Sequence, residues 1–324
     1  MSTSNSLDGR IQIPIHDAIA HHKDLVFIDG SWWLGQRETT SRQDFETGPR
    51  IRGARFLDID DVCQADTNLP HMMPSPSVFA ATMDAMSIRN NDRLVVYGQE
   101  GCPFLHRAWF QLACMGHDNT KVHLLEGSLQ GWIDAGGPVD TGPTETLRVK
   151  DLDTSRRSSY QATPARNVVD IEEMRKLVAT TDPSTTTTTP LIVDVRSADR
   201  FYGRVDEPRP GLARGHMPGA RNLFFLDLLD SSDKTKLKPV PELQTILSST
   251  LGEDILPLED DGDDDDEQRP QRRRVIATCG SGATACTLAA ALIAAGKDPS
   301  QVYIYDGSWC EWGADPTNNP IVKE

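Results

Sequence analysis

The feature that most constrains the fold is an internal repeat, because several segments of the first half of the chain recur in the second half. Val95-Val-Tyr-Gly98 aligns with Val275-Ile-Ala-Thr278, 180 positions later, and Val122 to Ser128 aligns with Val302 to Ser308 at the same offset. Self-similarity at a fixed spacing is typical of a duplicated structural unit. A chain of 324 residues is also long enough for two domains that each bury a core. We therefore predict two copies of one fold.

Each copy alternates short apolar runs with helical stretches. The predicted strands are Leu25–Ile28, Leu94–Tyr97 and Val122–Leu125 in the first copy, and Leu191–Val195, Val275–Thr278 and Val302–Tyr305 in the second. Such alternation predicts an α/β fold in which a parallel sheet carries helices on both faces. We place the N-terminal domain at residues 1–143 and the C-terminal domain at 166–324, with a polar, Pro-containing linker at 144–165.

Two low-complexity segments interrupt the second copy. Residues 180–190 are dominated by threonine, and residues 259–267 form an acidic block that is followed closely by three consecutive arginines. Blocks of like charge repel one another and stay solvated, and biased polar tracts cannot build a packed core. We predict a disordered loop at 180–190 and a mobile surface loop without chemistry at 259–267.

The overall composition limits the classes of partner. The net charge of −15 argues against nucleic acid and anionic membranes, which both reward a surplus of Lys and Arg. The six cysteines form no CxxC pair and no zinc-binding spacing, and no run of 18 apolar residues occurs. We expect no metal and no organic cofactor, and a soluble protein of a reducing compartment. The cytoplasm is the expected location, with the mitochondrion as the alternative.

One cysteine has the surroundings of a nucleophile. Cys279 directly follows the predicted strand Val275–Thr278, and the small residues of 280–284 then lead into a helical stretch. Backbone N–H groups of such a loop, together with the positive end of the next helix, stabilise an anion. They would favour the thiolate form of Cys279, which is the form that attacks.

These motifs together resemble the rhodanese superfamily in its tandem two-domain form, and the resemblance covers nearly the whole chain. The landmarks are Ile28–Trp32, Phe56–Asp60, His71–Pro74, Gly215–Ala220, the Cys279 loop and Tyr305–Trp312. The resemblance implies a sulfurtransferase built of two tandem rhodanese-like domains. It also implies that the first domain is catalytically silent and that the second carries the reactive cysteine.

The residues of the loop bear on the sulfur donor. Thiosulfate enzymes of the family typically carry basic residues just after the cysteine, whereas residues 280–284 hold no charge and are similar to the 3-mercaptopyruvate branch. The phosphatase relatives need an arginine at position 285, where this chain has alanine. The expected reaction moves sulfur from 3-mercaptopyruvate through a Cys279 persulfide to thioredoxin, glutathione, another thiol or cyanide. Thiosulfate as the donor, and a scaffold that relays persulfide sulfur to a protein partner, stay open as alternatives.

The resemblance also assigns roles to individual residues. Cys279 is the nucleophile, and Ser281 and Asp60 move protons, Asp60 being contributed by the silent domain. Arg200 and Arg209 match the pair that binds the substrate carboxylate, which a guanidinium grips with two parallel hydrogen bonds. The remaining substrate-contact residues are His71, Gly280, Gly282, Ala283 and Thr284. The structural alternatives are a capping role for Ser281 and a packing role for His71.

The other cysteines are weighed against Cys279. Projected back by 180 positions, Cys279 falls on Gln99, and Cys102 lies three residues further on. The first copy therefore has no thiol at the reactive place. Cys286 and Cys310 are the candidates for a reversible disulfide that protects or silences the enzyme.

Overall fold

The computed structural model describes residues 7–35, 37–180, 189–257 and 273–324. The acidic block at 259–267, and residues 181–188 of the threonine-rich segment, lie outside the described residues. Contacts divide the chain into a first unit of residues 1–166 with 229–237, and a second unit of residues 167–228 with 238–324. Residues 144–165, which the sequence assigns to a linker, are thus grouped with the first unit.

Strands and helices alternate in both units. The strands of the first unit are β1 (Gln12–Pro14), β2 (Leu25–Asp29), β3 (Arg50–Ile51), β4 (Arg55–Phe56), β5 (Arg93–Tyr97), β6 (Val122–Glu126) and β7 (Val139–Asp140), and its helices are α1 (Ile15–Ala20), α2 (Ser41–Thr47), α3 (Pro76–Ala85), α4 (His106–Cys114) and α5 (Leu129–Asp134). The strands of the second unit are β8 (Val168–Val169), β9 (Leu191–Asp194), β10 (Arg221–Asn222), β11 (Val275–Thr278) and β12 (Val302–Tyr305), and its helices are α6 (Ile171–Thr180), α7 (Ala198–Phe201), α8 (Val240–Leu251), α9 (Ala285–Ala294) and α10 (Ser308–Trp312).

The two main sheets have the same architecture. The strand order is β1-β6-β5-β2-β4 in the first unit and β8-β12-β11-β9-β10 in the second, and every pair within these sheets is parallel. Because strands that correspond in sequence also occupy corresponding places, the structure confirms an α/β fold written twice. The central strands are β5 and β11, and all four residues of β11 are buried, as expected for a parallel sheet covered on both faces.

The helix that follows each central strand ends in the same way. Gly116 lies just beyond α4 and Gly296 just beyond α9, and both have a φ of 101°. Glycine adopts this left-handed region without the steric cost that a side chain adds, which makes it the usual residue just past a helix. These two glycines are 180 positions apart and end corresponding helices of the two units in the same way.

Tryptophans anchor both cores. Trp132 is fully buried in the first unit, and Trp309 and Trp312 are fully buried in the second. Each indole N–H donates to a backbone carbonyl, of Pro138, Ala213 and Pro320 respectively, at 2.8 to 3.1 Å. A buried indole is stable in a core when its one polar group is paired in this way.

Candidate active site

The Cys279 loop begins at the carboxyl end of the central strand of the second sheet, where open α/β sheets bind their ligands. The N–H of Cys279 donates to Ser308 Oγ at 3.2 Å, and its carbonyl accepts from Trp309 N–H at 3.0 Å. The carbonyl of Gly280 accepts from Cys310 N–H at 2.8 Å. The start of α10 therefore fixes the first two residues of the loop.

Further along the loop the backbone donors stay free. Within the described part of the chain, the N–H groups of Gly280, Ser281, Gly282, Ala283 and Thr284 make no hydrogen bond. Gly282 has a φ of 76°, a conformation that turns the chain sharply and suits glycine. Ala285 then opens α9, whose N-terminus carries no side-chain cap. The result is a row of donors at a helix N-terminus, which is an anion-binding arrangement.

The two residues expected to do the chemistry of the loop are both buried. Cys279 is 2% exposed and Ser281 is 5% exposed. Since no side chain caps α9, Ser281 does not have the capping role that was its structural alternative. A sheltered site strengthens electrostatic interactions with whatever binds there, because less water screens them.

Arg200 and Arg209 meet beside this loop. Arg200 lies on the short helix α7, and Arg209 lies in the segment that follows. A Cβ atom added to Gly280 would lie 3.1 Å from Arg200 Nη2 and 3.9 Å from Arg209 Nη1. Among the described residues Arg209 makes no hydrogen bond or ion pair. The structure thus brings both predicted arginines to the Cys279 loop and leaves the donors of Arg209 available to a ligand.

A buried carboxylate that the sequence analysis missed orients Arg200. Glu207, whose side chain is 2% exposed, accepts from Arg200 Nε at 3.2 Å and also pairs with Arg200 Nη2. Its other partner is Arg196, with Nη1 2.7 Å from Oε1. The only hint in the sequence was an acid between two arginine positions nine apart. That acid holds Arg200 against the loop.

Arg196 is the centre of this network. Its guanidinium also pairs with Asp194 at 2.6 Å and stacks on Trp309, 4.1 Å from the ring centroid. Burial lowers the pKa of Arg196, but the carboxylates of Asp194 and Glu207 outweigh it and raise that pKa above its ordinary value. Arg196 is therefore charged and unavailable to substrate, and its role is to position Glu207.

Two further cysteines lie near the loop, in different settings. Cys310 lies on α10, one hydrogen bond from Gly280, and is 6% exposed. Burial raises the pKa of its thiol, Arg209 opposes that rise, and the charge of Cys279 adds to it. Cys286 lies on the first turn of α9, where its Sγ is 3.3 Å from the carbonyl of Gly282. Neither of them, nor any other cysteine of the described residues, is in a disulfide.

Asp60 and His71 lie together in the first unit. His71 Nδ1 is 2.9 Å from Asp60 Oδ1, and Trp32 Nε1 donates to Asp60 Oδ2 at 2.8 Å. His71 has a φ of 60° and accepts a hydrogen bond from Arg107 at its carbonyl oxygen. A residue held in a left-handed conformation indicates strain of the kind that collects at functional sites. The structure pairs these two predicted residues with each other.

The environment of Asp60 differs from that of the neighbouring acid. The Asp60 side chain is 60% exposed and lines a cleft of about 650 Å³ in the first unit, with Trp32 and Arg148 also on its walls. Asp58 instead pairs with buried Arg42 at 2.8 Å. Asp58 is therefore held in a partly buried ion pair, whereas most of the Asp60 side chain is exposed.

The equivalent loop of the first unit holds no thiol at its start. Gln99 takes that place, its N–H donating to Ser31 Oγ at 2.8 Å and its side-chain amide to Asp29 at 2.9 Å. Cys102 is fully buried and donates to the carbonyl of Trp32 at 3.2 Å. Burial raises the pKa of Cys102 to about 11, so this thiol is protonated at neutral pH.

None of the described helices is long and apolar enough to cross a membrane.

Comparison with known proteins gives a consistent family. The chain matches the model of the Rhodanese-like domain at residues 19–135 and 171–315. It is 33% identical over 305 residues to Thiosulfate/3-mercaptopyruvate sulfurtransferase 2 of Arabidopsis thaliana, a match that covers 92% of this chain and 82% of the relative. It is 32% identical over 302 residues to the 3-mercaptopyruvate sulfurtransferase of Escherichia coli, covering 92% and 93%. The crystal structure of the Tum1 protein from Saccharomyces cerevisiae superposes with a TM-score of 0.77 at 26% identity, covering 97% of this chain and 98% of that one.

Proposed function

This chain belongs to the rhodanese-like family and is a sulfurtransferase, and we propose that it takes sulfur from 3-mercaptopyruvate through a persulfide on Cys279. The observation that carries the proposal is the row of unpaired N–H donors at 280–284, which begins one residue after the thiol and has two guanidinium groups beside it. Those donors suit a thiolate and, after reaction, a persulfide anion.

The first half-reaction moves one sulfur atom. The Cys279 thiolate attacks the sulfur of 3-mercaptopyruvate, forming a sulfur–sulfur bond, and the bond between that sulfur and C3 breaks. The electron pair leaves with the carbon as pyruvate enolate, and the thiol proton ends on C3 to give pyruvate. No metal or organic cofactor takes part in this scheme. The enzyme is left as the Cys279 persulfide.

Arg200 and Arg209 bind the carboxylate and ketone oxygens of the donor. Guanidinium groups grip such planar oxygen pairs with parallel, charge-assisted hydrogen bonds. Arg209 has its donors free among the described residues, whereas Arg200 is fixed by Glu207 and offers its remaining donors at one orientation. We assign orientation of the donor to Arg200 and most of its binding to Arg209.

Proton movement is assigned to Ser281, Asp60 and His71 by the family resemblance. The short distance between Asp60 and His71 supports a coupled role for these two. Variants test the assignment: in Asp60→Asn we expect kcat to fall and the pH–rate profile to lose its acidic limb. An unchanged pH profile would remove Asp60 from the scheme.

The second half-reaction passes the outer sulfur to a thiol such as thioredoxin or glutathione, or to cyanide in an assay. We propose the cytoplasm as the location, with the mitochondrion as the alternative. The name of one relative, Thiosulfate/3-mercaptopyruvate sulfurtransferase 1, mitochondrial, of Arabidopsis thaliana, supports that alternative. Subcellular fractionation decides between them.

Thiosulfate is the second candidate donor, because the Arabidopsis thaliana relative carries both donors in its name and two cations stand beside the loop. Arg209→Ala separates the donors. Loss of two charge-assisted hydrogen bonds of about 1.5–3 kcal/mol each lowers kcat/KM for 3-mercaptopyruvate by roughly 100-fold or more. We expect a smaller loss with thiosulfate, which the backbone donors also hold. The matched control is Arg204→Ala, an exposed arginine that pairs with Asp199 at 3.7 Å, and equal losses for both donors would contradict the assignment.

The persulfide itself is tested by intact-protein and peptide mass spectrometry after addition of 3-mercaptopyruvate. In samples of the wild type quenched with acid at short times and neutral pH, before the persulfide reacts further, we expect a gain of one sulfur atom on the peptide that contains Cys279, together with one pyruvate per chain. Cys279→Ser abolishes both, whereas Cys102→Ala, at the cysteine of the equivalent loop, retains both. A sulfur atom found on another cysteine, or on none, would contradict the proposal.

A further inference from the structure

Cys310, on α10, is a second thiol beside the Cys279 loop. Consecutive hydrogen bonds join the two segments, from Trp309 N–H to Cys279 O at 3.0 Å and from Cys310 N–H to Gly280 O at 2.8 Å. These hydrogen bonds hold the backbone of Cys310 against the peptide that follows Cys279. A disulfide between Cys279 and Cys310 needs their Cα atoms about 4.4–6.8 Å apart, and two neighbouring segments joined by hydrogen bonds can provide that separation.

The electrostatic surroundings point to the same pairing. The charges that act on the Cys310 thiol are those of Arg209, Cys279, Glu207 and Arg200, which are the groups of the Cys279 site. Cys310 therefore lies among the same charges as the reacting sulfur. A thiol among these charges can take part in the sulfur chemistry as well as in packing.

Cys286 does not share this position. It lies on α9, is fully buried, and its Sγ donates to the carbonyl of Gly282 at 3.3 Å. Its backbone N–H donates to Ala283 O at 3.3 Å, within its own turn, rather than to Cys279 or Gly280. Of the two cysteines near the loop, the geometry favours Cys310 as the partner.

We propose that Cys310 resolves the Cys279 persulfide, an activity that rests on the function proposed above. The Cys310 thiolate attacks Cys279 Sγ, the bond between that Sγ and the outer sulfur breaks, and a Cys279–Cys310 disulfide forms. The outer sulfur takes the electron pair and the proton that the Cys310 thiol gave up, and it leaves as hydrosulfide. The sulfane sulfur is reduced to sulfide and the two cysteines are oxidised to the disulfide, so the electrons balance without an outside oxidant.

The cycle closes when an external dithiol reduces the disulfide. Two thiols of one reductant attack in sequence through a mixed disulfide, and both cysteines return to the reduced form. The enzyme thereby releases free hydrosulfide even when no acceptor binds next to the persulfide. Without a dithiol it stops after one turnover as the disulfide.

The rate of resolution depends on the ionisation of Cys310. Burial raises the pKa of this thiol, and Cys279 and Glu207 add to the rise, while Arg209 and Arg200 oppose it. The attacking thiolate is therefore scarce at neutral pH, and resolution accelerates as the pH rises towards the Cys310 pKa. External thiols compete best at neutral pH, and internal release of hydrosulfide gains at higher pH.

The test is a single turnover of the full chain with 3-mercaptopyruvate and no added thiol, followed by measurement of pyruvate, hydrosulfide and intact mass. We expect the wild type to release one pyruvate and one hydrosulfide per chain, to lose the mass of two hydrogen atoms, and to yield a Cys279–Cys310 disulfide on peptide mapping. Dithiothreitol restores turnover. Hydrosulfide release becomes faster with pH, whereas pyruvate release does so to a smaller extent.

Variants separate this inference from the proposed function. C310S and Cys310→Val are expected to release pyruvate but to stop at the persulfide, with one added sulfur atom and no hydrosulfide. A wild type that keeps the added sulfur atom and forms no disulfide overturns the role of Cys310 while leaving the persulfide intact. Loss of hydrosulfide in Cys286→Ala, with a Cys279–Cys286 disulfide in the wild type, also overturns it. Absence of both pyruvate and added sulfur in the wild type refutes the proposed function, and this inference with it.

Discussion

The ends of strands β2 and β9 are built alike and differ in charge. Asp29 ends β2 and Asp194 ends β9, and both are fully buried. Each carboxylate accepts the backbone N–H two residues further on, from Ser31 at 2.9 Å and from Arg196 at 3.0 Å. The local backbone is therefore the same in both units. The side chain at the second position, a hydroxyl in one unit and a guanidinium in the other, makes the difference.

In the second unit the guanidinium of Arg196 carries the consequence to the active loop. It neutralises Asp194, holds Glu207 and thereby fixes Arg200 beside Gly280. A chain of buried ion pairs of this kind requires every member to be paired, because an isolated buried charge is costly. The arginine thus links the sheet, through Glu207 and Arg200, to the Cys279 loop.

In the first unit no such link exists among the described residues. Asp29 meets the amide of Gln99 and the N–H of Ser31, neither of which is charged. Burial raises the pKa of Asp29 to about 6. The two units therefore share the backbone turn after β2 and β9. Among the described residues, the network around Arg196 and the thiol at the start of the loop belong to the second unit.

The largest expected effect is that of Asp194→Asn. Removing one partner from a buried ion pair costs about 3–5 kcal/mol of folding free energy. Because Glu207 still pairs with Arg196, we expect the free energy of unfolding to fall by about 3 kcal/mol. Urea unfolding, with hydrogen exchange of the peptides that contain β9 and β11, measures it. If the second unit keeps its stability, the ion-pair account of the comparison fails.

The same substitution in the first unit should act with the opposite sign. Burial raises the pKa of Asp29 to about 6 in the folded state. The protonated carboxyl therefore stabilises the fold below about pH 4. This stabilisation is lost as the pH rises through about 6. An asparagine side chain does not ionise, so Asp29→Asn should stabilise the first unit at pH 7 by roughly 2–3 kcal/mol and have little effect below about pH 4.

Hydrogen exchange of the peptides that contain β2 and β5, measured at pH 4 and at pH 7, checks this sign. The control is Asp17→Asn, an exposed acid that pairs with Arg10 at 3.3 Å and should change stability by less than about 1 kcal/mol. Destabilisation by Asp29→Asn at pH 7 would show that both units depend on the charged carboxylate and would remove the contrast between them.

Glu207→Gln tests whether the network positions Arg200. The amide keeps an acceptor for one guanidinium but loses the charge that both arginines share, so Arg200 should sample other orientations. We expect KM for 3-mercaptopyruvate to rise about tenfold, equivalent to about 1.4 kcal/mol, with a smaller change in kcat. Glu172→Gln, an exposed acid that pairs with Arg175, is the control. An unchanged KM would show that Arg200 needs no such support.

The sequence predicted the parts of this comparison that depend on local pattern. Strands β11 and β12 begin and end where the apolar runs do, and β9 ends one residue earlier than predicted, at Asp194. The place of Cys279 at a strand end followed from the apolar run and the small residues after it, and the choice of Arg200 and Arg209 came from the family resemblance. Apolar runs and small-residue loops are patterns of neighbouring residues, so they can be recognised in a single sequence.

What the sequence could not show depends on residues that only folding brings together. Glu207 looks like a surface acid in the sequence, and its burial goes with two arginines that converge on it, Arg196 and Arg200. The grouping of residues 229–237 with the first unit also depends on a contact that forms only on folding. Asp233 accepts the N–H of Ser128 at 3.0 Å, and the two residues are 105 positions apart, so no sequence periodicity predicts the contact.

Gly280→Ala gives the smallest effect and tests the approach of Arg200 to the Cys279 loop. The position 180 residues earlier is Glu100, whose side chain is exposed. In the second unit the new methyl group would lie 3.1 Å from Arg200 Nη2, so the guanidinium must shift by a few tenths of an ångström. We expect KM to rise about threefold, which corresponds to less than about 1 kcal/mol, while the free energy of unfolding stays nearly constant. The control Glu100→Ala should leave KM unchanged. A large loss of stability in Gly280→Ala would contradict this prediction, because it would show that Gly280 is needed for the backbone conformation of the loop and not for the position of Arg200.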